Sequence, residues 1–311
     1  MNVKLVDRPH EAQALLGRAA WWWAAHCLLL VTTSLATAQY DPRPTEVEYA
    51  RSANGDSMLN RESEAREDEA DEIETDRDSF TPATTTAPAG RLISEAAWSF
   101  IDNRRVPDTH SLPEFVGRYG VNDWFELRLG FNYEVGGAPN SVSGNAGDPE
   151  FGDAPEIERE SQLFYGFKAA LTSQHQWRPQ SAVILQAGTP TSGVDTATQL
   201  IATYVFGWEF ANRWKWDFAL RYGYDSADGD HFNIWAPSSV LKMPLGERWA
   251  AHAEYFGVCS QGRERESVQH YFSPGIHYLL TRDLEVGIRT GWGLNDQAAN
   301  FFSNVGLGWR Y

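Results

Sequence analysis

The sequence predicts an all-β protein, a transmembrane antiparallel up-and-down β-barrel of about twelve strands over residues 91–311. Three observations predict it: apolar and polar residues alternate with a period of two, short turns recur at regular intervals, and tryptophans sit at those turns. Composition agrees, with 13 Trp, 12 Tyr, 16 Phe and 26 Gly in 311 residues, and a mean hydropathy of −0.45. Apolar residues dispersed in this way suit strands with two unlike faces rather than helices. No run of 18 apolar residues follows position 40, which excludes helical membrane spans from that part of the chain.

At the N-terminus, Lys4, Arg8 and Arg18 precede an apolar stretch from Ala19 to Leu35, and Ala36-Thr37-Ala38 supplies small residues for cleavage before Gln39. Residues 1–38 therefore read as a signal peptide, with an uncleaved single-helix anchor as the alternative. Cys27 is followed by Leu28-Leu29-Leu30, which speaks against a lipoprotein. Loss of 1–38 would leave Cys259 alone, so neither an internal disulfide nor a cysteine-rich zinc site is expected.

Residues 39–90 hold 5 Arg against 14 Asp and Glu, a local net of −9 in a chain whose formal charge is −16. They include the run Arg61 to Glu69 and a Thr/Pro/Ala stretch from Thr81 to Gly90. High charge with few apolar residues predicts a disordered acidic leader in the periplasm. A solvated tail is the plain reading; binding cations, engaging a partner or plugging the barrel are the functional ones. An acidic chain of this kind is not a nucleic-acid binder.

From Gly90 onward the alternation is strict. Phe125, Leu127, Leu129, Phe131, Tyr133 and Val135 share one face, opposite Glu126, Arg128, Gly130, Asn132 and Glu134. Trp214, Trp216, Phe218, Leu220, Tyr222 and Tyr224 alternate in the same way with Lys215, Asp217, Ala219, Arg221, Gly223 and Asp225. Similar series run through Leu284 to Leu294 and Asn304 to Tyr311. A soluble sandwich would also alternate, so the turns must decide between the two. Short turns fall near 122, 177, 212, 247 and 282, spaced by 55, 35, 35 and 35 residues, the wide gap holding a Gly/Asp-rich insertion from Gly136 to Arg159. Trp124, Trp177, Trp214 and Trp249 lie in or beside four of them. Indoles at one end of successive hairpins form the girdle expected at a membrane interface.

The strands so delimited are 91–101, 110–120, 124–135, 160–172, 180–189, 196–210, 213–225, 231–243, 248–260, 267–280, 284–294 and 300–311. Pro113 and Pro237 blur the second and eighth, and ten or fourteen strands are the alternatives. The last strand ends Val305-x-Leu307-x-Trp309-x-Tyr311, similar to the aromatic-ended strand that the outer-membrane barrel-assembly machinery reads. Trp309 and Tyr311 therefore join the girdle, and the expected location is the outer membrane of a Gram-negative-type bacterium.

The stretch from Ser111 to Gly130, with Leu112-Pro113-Glu114, Arg118-Tyr119-Gly120, a turn and Glu126-Leu127-Arg128-Leu129-Gly130, resembles the barrel family of the MetA pathway of phenol degradation. The resemblance extends loosely from Gly90 to Tyr311. It implies an outer-membrane barrel that passes small solutes, aromatic or hydrophobic ones among them; the acidic leader is not part of the pattern.

Alternation sends Glu114, Arg118, Glu126, Arg128, Lys168, Lys215, Asp217, Arg221, Glu285 and Arg289 into the lumen, together with Arg310. Such charges facing lipid would each cost kilocalories, so an inward position follows from stability alone. They either pair across strands and fill the barrel or line a polar pathway. Inward Gly166, Gly223, Gly287, Gly291, Gly306 and Gly308 leave room for one, and twelve strands lie between filled eight-stranded barrels and open sixteen-stranded ones.

An enzyme is not expected. Ser273 and His277 share a face but His270 lies opposite, and no third orienting group is marked. Asp148, Glu150, Asp153, Glu156 and Glu158 in the long insertion match no calcium-loop spacing. Neither cofactor nor metal is expected. The sequence thus favours a channel or facilitator whose partners are outer-membrane lipid, the barrel-assembly machinery and a small solute. The alternative is a non-conducting structural or binding barrel that engages a partner through its loops or acidic leader.

Overall fold

The computed structural model describes residues 72–143, 157–193, 196–210, 213–227, 230–263 and 266–311. The expected signal peptide and the leader as far as residue 71 lie outside these. Within them the chain forms twelve strands: β1 Leu92–Asp102, β2 Thr109–Asn122, β3 Phe125–Gly136, β4 Glu158–Thr172, β5 Gln180–Ser192, β6 Gln199–Glu209, β7 Lys215–Ala227, β8 Asp230–Pro244, β9 Trp249–Gln261, β10 Val268–Thr281, β11 Leu284–Gly293 and β12 Phe301–Arg310.

Each strand pairs antiparallel with its sequence neighbours, and β1 pairs with β12 to close the barrel. Closure is in register along the whole of β12, from Ile93 opposite Arg310 to Asp102 opposite Phe301. It leaves no sheet edge, the condition for crossing lipid with strands. The count of twelve holds, and each boundary falls within a few residues of its expected place. The prolines are absorbed without losing the strands: the β2–β3 ladder skips a step between Ser111 and Glu114, and Pro237 stays opposite Leu220.

The two faces of the sheet differ as the alternation requires. Leu127, Leu129, Leu185, Ile288, Val305 and Leu307 are exposed on the outside. A continuous apolar outer surface of this kind would be untenable in water and is what lipid covers. Inward lie buried Glu95, Glu114, Arg118, Glu126, Lys168 and Glu254. The five short connections share one end of the barrel with Leu92 and Tyr311, whose N–H donates to the Leu92 carbonyl at 2.8 Å.

The lumen is not filled by barrel residues alone. Residues 72–90, which the sequence places in a disordered leader, are folded inside it, so that expectation fails over these residues. The segment is fixed at the short-turn end where the Ile73 N–H donates to the Arg282 carbonyl at 2.9 Å. It descends to Phe80 and Thr81, returns, and passes into β1 through Gly90. Gly90 has φ +74°, a left-handed conformation that a side chain disfavours. From the opposite end, residues 137–143 fold in, and Val142 joins Phe80, Phe256, Tyr271 and Phe302 in one buried cluster. Phe80 stacks on Phe256 with ring centroids 4.2 Å apart.

Candidate functional site

The candidate site is the lumen wall together with the segment it holds. Acidic residues at Glu72, Glu74, Asp76 and Asp78 recur every second position, the period of an extended chain. Each meets a cation of the wall. Glu72 pairs with Arg213 at 3.4 Å and Glu74 with Lys215 at 3.2 Å. Asp76 pairs with Arg128 at 2.5 Å, with Lys168 at 3.1 Å and with Arg118 at 3.5 Å. Asp78 pairs with Lys242 at 3.0 Å. Arg77 points the other way and donates to Glu114 at 2.7 Å.

The backbone of the segment is held as firmly as its side chains. Glu95 Oε2 accepts from the Asp76 and Arg77 N–H groups at 3.0 and 2.9 Å. Glu254 accepts from the N–H groups of Phe80 and Thr81 at 2.8 and 2.7 Å and from the Thr81 hydroxyl at 2.7 Å. Glu126 accepts from the Ala87 N–H at 2.6 Å. A buried loop has no ladder for its amides, and wall carboxylates supply the missing acceptors.

The inward residues expected from the sequence are therefore largely engaged. Glu114 binds Arg77 and the Asn140 amide. Arg118 binds Glu126, Glu95 and the Glu74 carbonyl, and Arg128 bridges Asp76 and Glu126. Glu285 accepts from Thr75 at 2.9 Å. Arg289 reaches Glu254 at 3.5 Å and the Val142 carbonyl at 2.7 Å. Asp217 is buried, and its Oδ2 has no hydrogen-bond partner. Arg221 lies over the Phe80 ring at 4.4 Å and donates to the Phe80 carbonyl at 3.3 Å. Of the inward glycines, Gly308 leaves its space to the segment, because a Cβ there would strike Thr75.

Sequence reasoning did not single out Glu95, Glu254, Lys242 and His252 as wall residues. All four lie on the first, eighth and ninth strands, and Glu254 binds the segment's tip. His252 Nδ1 meets His277 Nε2 at 2.7 Å, while Ser273 Oγ donates to the Thr290 carbonyl at 2.8 Å, so Ser273 and His277 do not engage each other. Of the acidic cluster in the long insertion, only Glu158 lies among the described residues.

The girdle residues Trp124, Trp177, Trp214, Trp249, Trp309 and Tyr311 are all exposed at the short-turn end. Trp177, in the β4–β5 connection, is 90 % exposed, and its carbonyl accepts from the Trp208 indole at 3.0 Å. Trp309 and Tyr311 lie with ring centroids 4.2 Å apart. Trp98 and Trp292 are likewise exposed, nearer the other end of the strands.

A closed barrel with an apolar outer band, indoles at its ends and an inward polar wall defines a transmembrane β-barrel protein of the outer-membrane class. The chain belongs to the family described as "Putative MetA-pathway of phenol degradation", whose model matches residues 75–311. That match starts inside the lumen segment, so the segment's inner part falls within the family's extent. An outer-membrane channel from Pseudomonas putida F1 is similar in structure, with a TM-score of 0.53 and 11 % identity over 73 % of this chain and 98 % of that one. The β domain of the Bordetella autotransporter BrkA gives 0.46 at 10 % identity over 72 % and 100 %. The NanC porin gives 0.45 at 8 % identity over 70 % and 98 %. No curated protein sequence is significantly similar to the chain.

Proposed function

We propose that this protein is an outer-membrane channel or facilitator for small solutes, closed by its own residues 72–90. The observation that carries this reading is the acid ladder Glu72, Glu74, Asp76 and Asp78 matched to wall cations. A barrel that needed only to be filled could use its own side chains. Here a separate segment, tied at the short-turn end, neutralises the wall and occupies the path a solute would take. The polar wall supplies that path once the segment moves, with Glu114, Arg118, Glu126, Arg128, Lys168, Lys215, Asp217, Arg221, Glu285 and Arg289 facing the solute.

The Pseudomonas putida relative, described as an outer-membrane channel, supports the same reading. The family's name adds aromatic compounds to the solutes worth testing. The short-turn end would face the periplasm, and the aromatic-ended β12 would be the element read by the assembly machinery. Engaging a partner through the leader is less favoured for residues 72–90, since these are enclosed by the wall.

Planar-bilayer recording tests the proposal. Deleting residues 72–88 should raise single-channel conductance at least tenfold over the full chain, with insertion unchanged. Equal, negligible conductance from both proteins would overturn it.

A further inference from the structure

Beside the tip of the lumen segment lies a cavity of about 40 Å³, lined by Asp76, Phe80, Arg128, Phe164, Ile184 and Arg221 among others. Counted as space open to water centres, this holds about three waters, or about 90 Å³ of liquid. Its wall is half apolar: Phe164 and Ile184 are buried aliphatic and aromatic surface. Gln186 and Thr203 add neutral polar groups.

The charges around the cavity do not balance. Asp76, Glu126 and Glu95 match Arg118, Arg128 and Lys168. Arg77 matches Glu114, and Arg289 matches Glu254. Arg221 is left over: among the described residues it has no carboxylate within ion-pair distance, and it donates to the Phe80 carbonyl and lies over the Phe80 ring. Arg221 and Arg128 both line this cavity, and within these side chains the buried Arg221 Nη1 and Arg128 Nε have no hydrogen-bond partner. A buried cation with unused donors is costly, and an anion placed against it offsets that cost. Guanidinium groups bind carboxylates with particular geometric fit.

We propose that this cavity is a binding site for a small carboxylate of two or three carbons. The carboxylate would lie against the Arg221 and Arg128 guanidinium groups, and the alkyl end on Phe164 and Ile184. The volume selects the size, the surplus guanidinium the charge, and the apolar wall the alkyl end. The site deepens the channel reading by naming a solute class and rests on that reading for its purpose, although binding itself does not require conduction.

Propionate and its neutral isostere propionamide are the probes, titrated into the full chain in detergent micelles by saturation-transfer NMR. Propionate should bind at least tenfold more tightly, and Arg221→Gln should abolish the difference while keeping the heat-modifiable gel mobility of a folded barrel. If Arg221→Gln does not fold, Ile184→Phe, which fills the cavity and keeps both guanidinium groups, should weaken propionate at least tenfold. Equal binding of the two probes, no binding of either, or a preference that survives these substitutions would overturn the site. A protein that binds propionate selectively but never conducts would overturn the channel and leave the site standing.

Discussion

Lys168 Nζ, on β4, donates to Asp76 Oδ1, in the lumen segment, at 3.1 Å, and both side chains are almost wholly buried. The same carboxylate faces Arg118 and Arg128, so a single residue of the segment answers three cations of the wall. Removing one partner of such a buried set is strongly destabilising, by about 3–5 kcal/mol, because the others are left uncompensated. Asp76→Ala should therefore release the segment rather than unfold the barrel. Hydrogen exchange of the amides of residues 73–87 should quicken at least a hundredfold, while the strand amides stay protected.

The tip is held by a different kind of contact, in which Glu254 accepts two main-chain N–H groups. Glu254→Gln keeps the shape but replaces a charged acceptor with a neutral one and leaves Arg289 without its carboxylate. Charge-assisted bonds are about twice as strong as neutral ones. The substitution should raise the open probability in bilayer recordings several-fold. An unchanged record would show that the tip does not limit opening.

Acid should open the channel. Burial opposes ionisation of Glu74, but Lys215 and Lys242 outweigh it and hold the carboxyl down at about 2 instead of 4.5. Burial likewise opposes ionisation of Asp78, and Lys242 with nearby His277 and His252 holds it at about 2 instead of 3.8. Carboxylates depressed in the docked state stabilise docking fully above their free values and lose that stabilisation as pH falls towards 2. Conductance should thus stay low from pH 7 to about 5 and rise between about 4 and 2.

Space is as specific as charge at Gly308, where the Thr75 side chain occupies the place a Cβ would take. Gly308→Val should insert normally, because its side chain points inward, but should loosen the segment. Protease digestion from the short-turn side should then cut within residues 73–87 at least tenfold faster than in the parent protein.

On the outer face, Leu129 is 54 % exposed in the middle of β3. If lipid covers it, Leu129→Arg should cost about 2–4 kcal/mol near the bilayer midplane. Denaturant unfolding in liposomes measures this; a loss under about 0.5 kcal/mol would place the residue in water.

The barrel was legible because one face of every strand must be apolar, and a one-residue slip would expose the wrong set. Phe125 to Val135 and Trp214 to Asp225 fix their own orientation in this way, and the recurring turn tryptophans mark the hairpins, with ten or fourteen strands left as alternatives to twelve. The wall charges followed from the same logic. Their partners did not, because Glu72, Glu74, Asp76 and Asp78 lie in a stretch whose mean charge describes a solvated tail. A period-two spacing of acids was present in that stretch, and it signals an extended segment facing a basic surface. Average composition hid it. Glu95 and Glu254 were missed for another reason: each stands alone among small or apolar neighbours, and only closure of the barrel shows what it faces.

Thr81 Oγ1 and Ser238 Oγ lie 2.8 Å apart, which brings the tip of the segment within disulfide reach of β8. The most direct test of a channel closed by residues 72–90 is single-channel recording of Thr81→Cys with Ser238→Cys in a Cys259→Ser background. Recorded at about pH 3, where the parent protein should conduct, the oxidised pair should show no conductance and the reduced pair conductance at the level of the parent protein. Equal conductance in both states would contradict it.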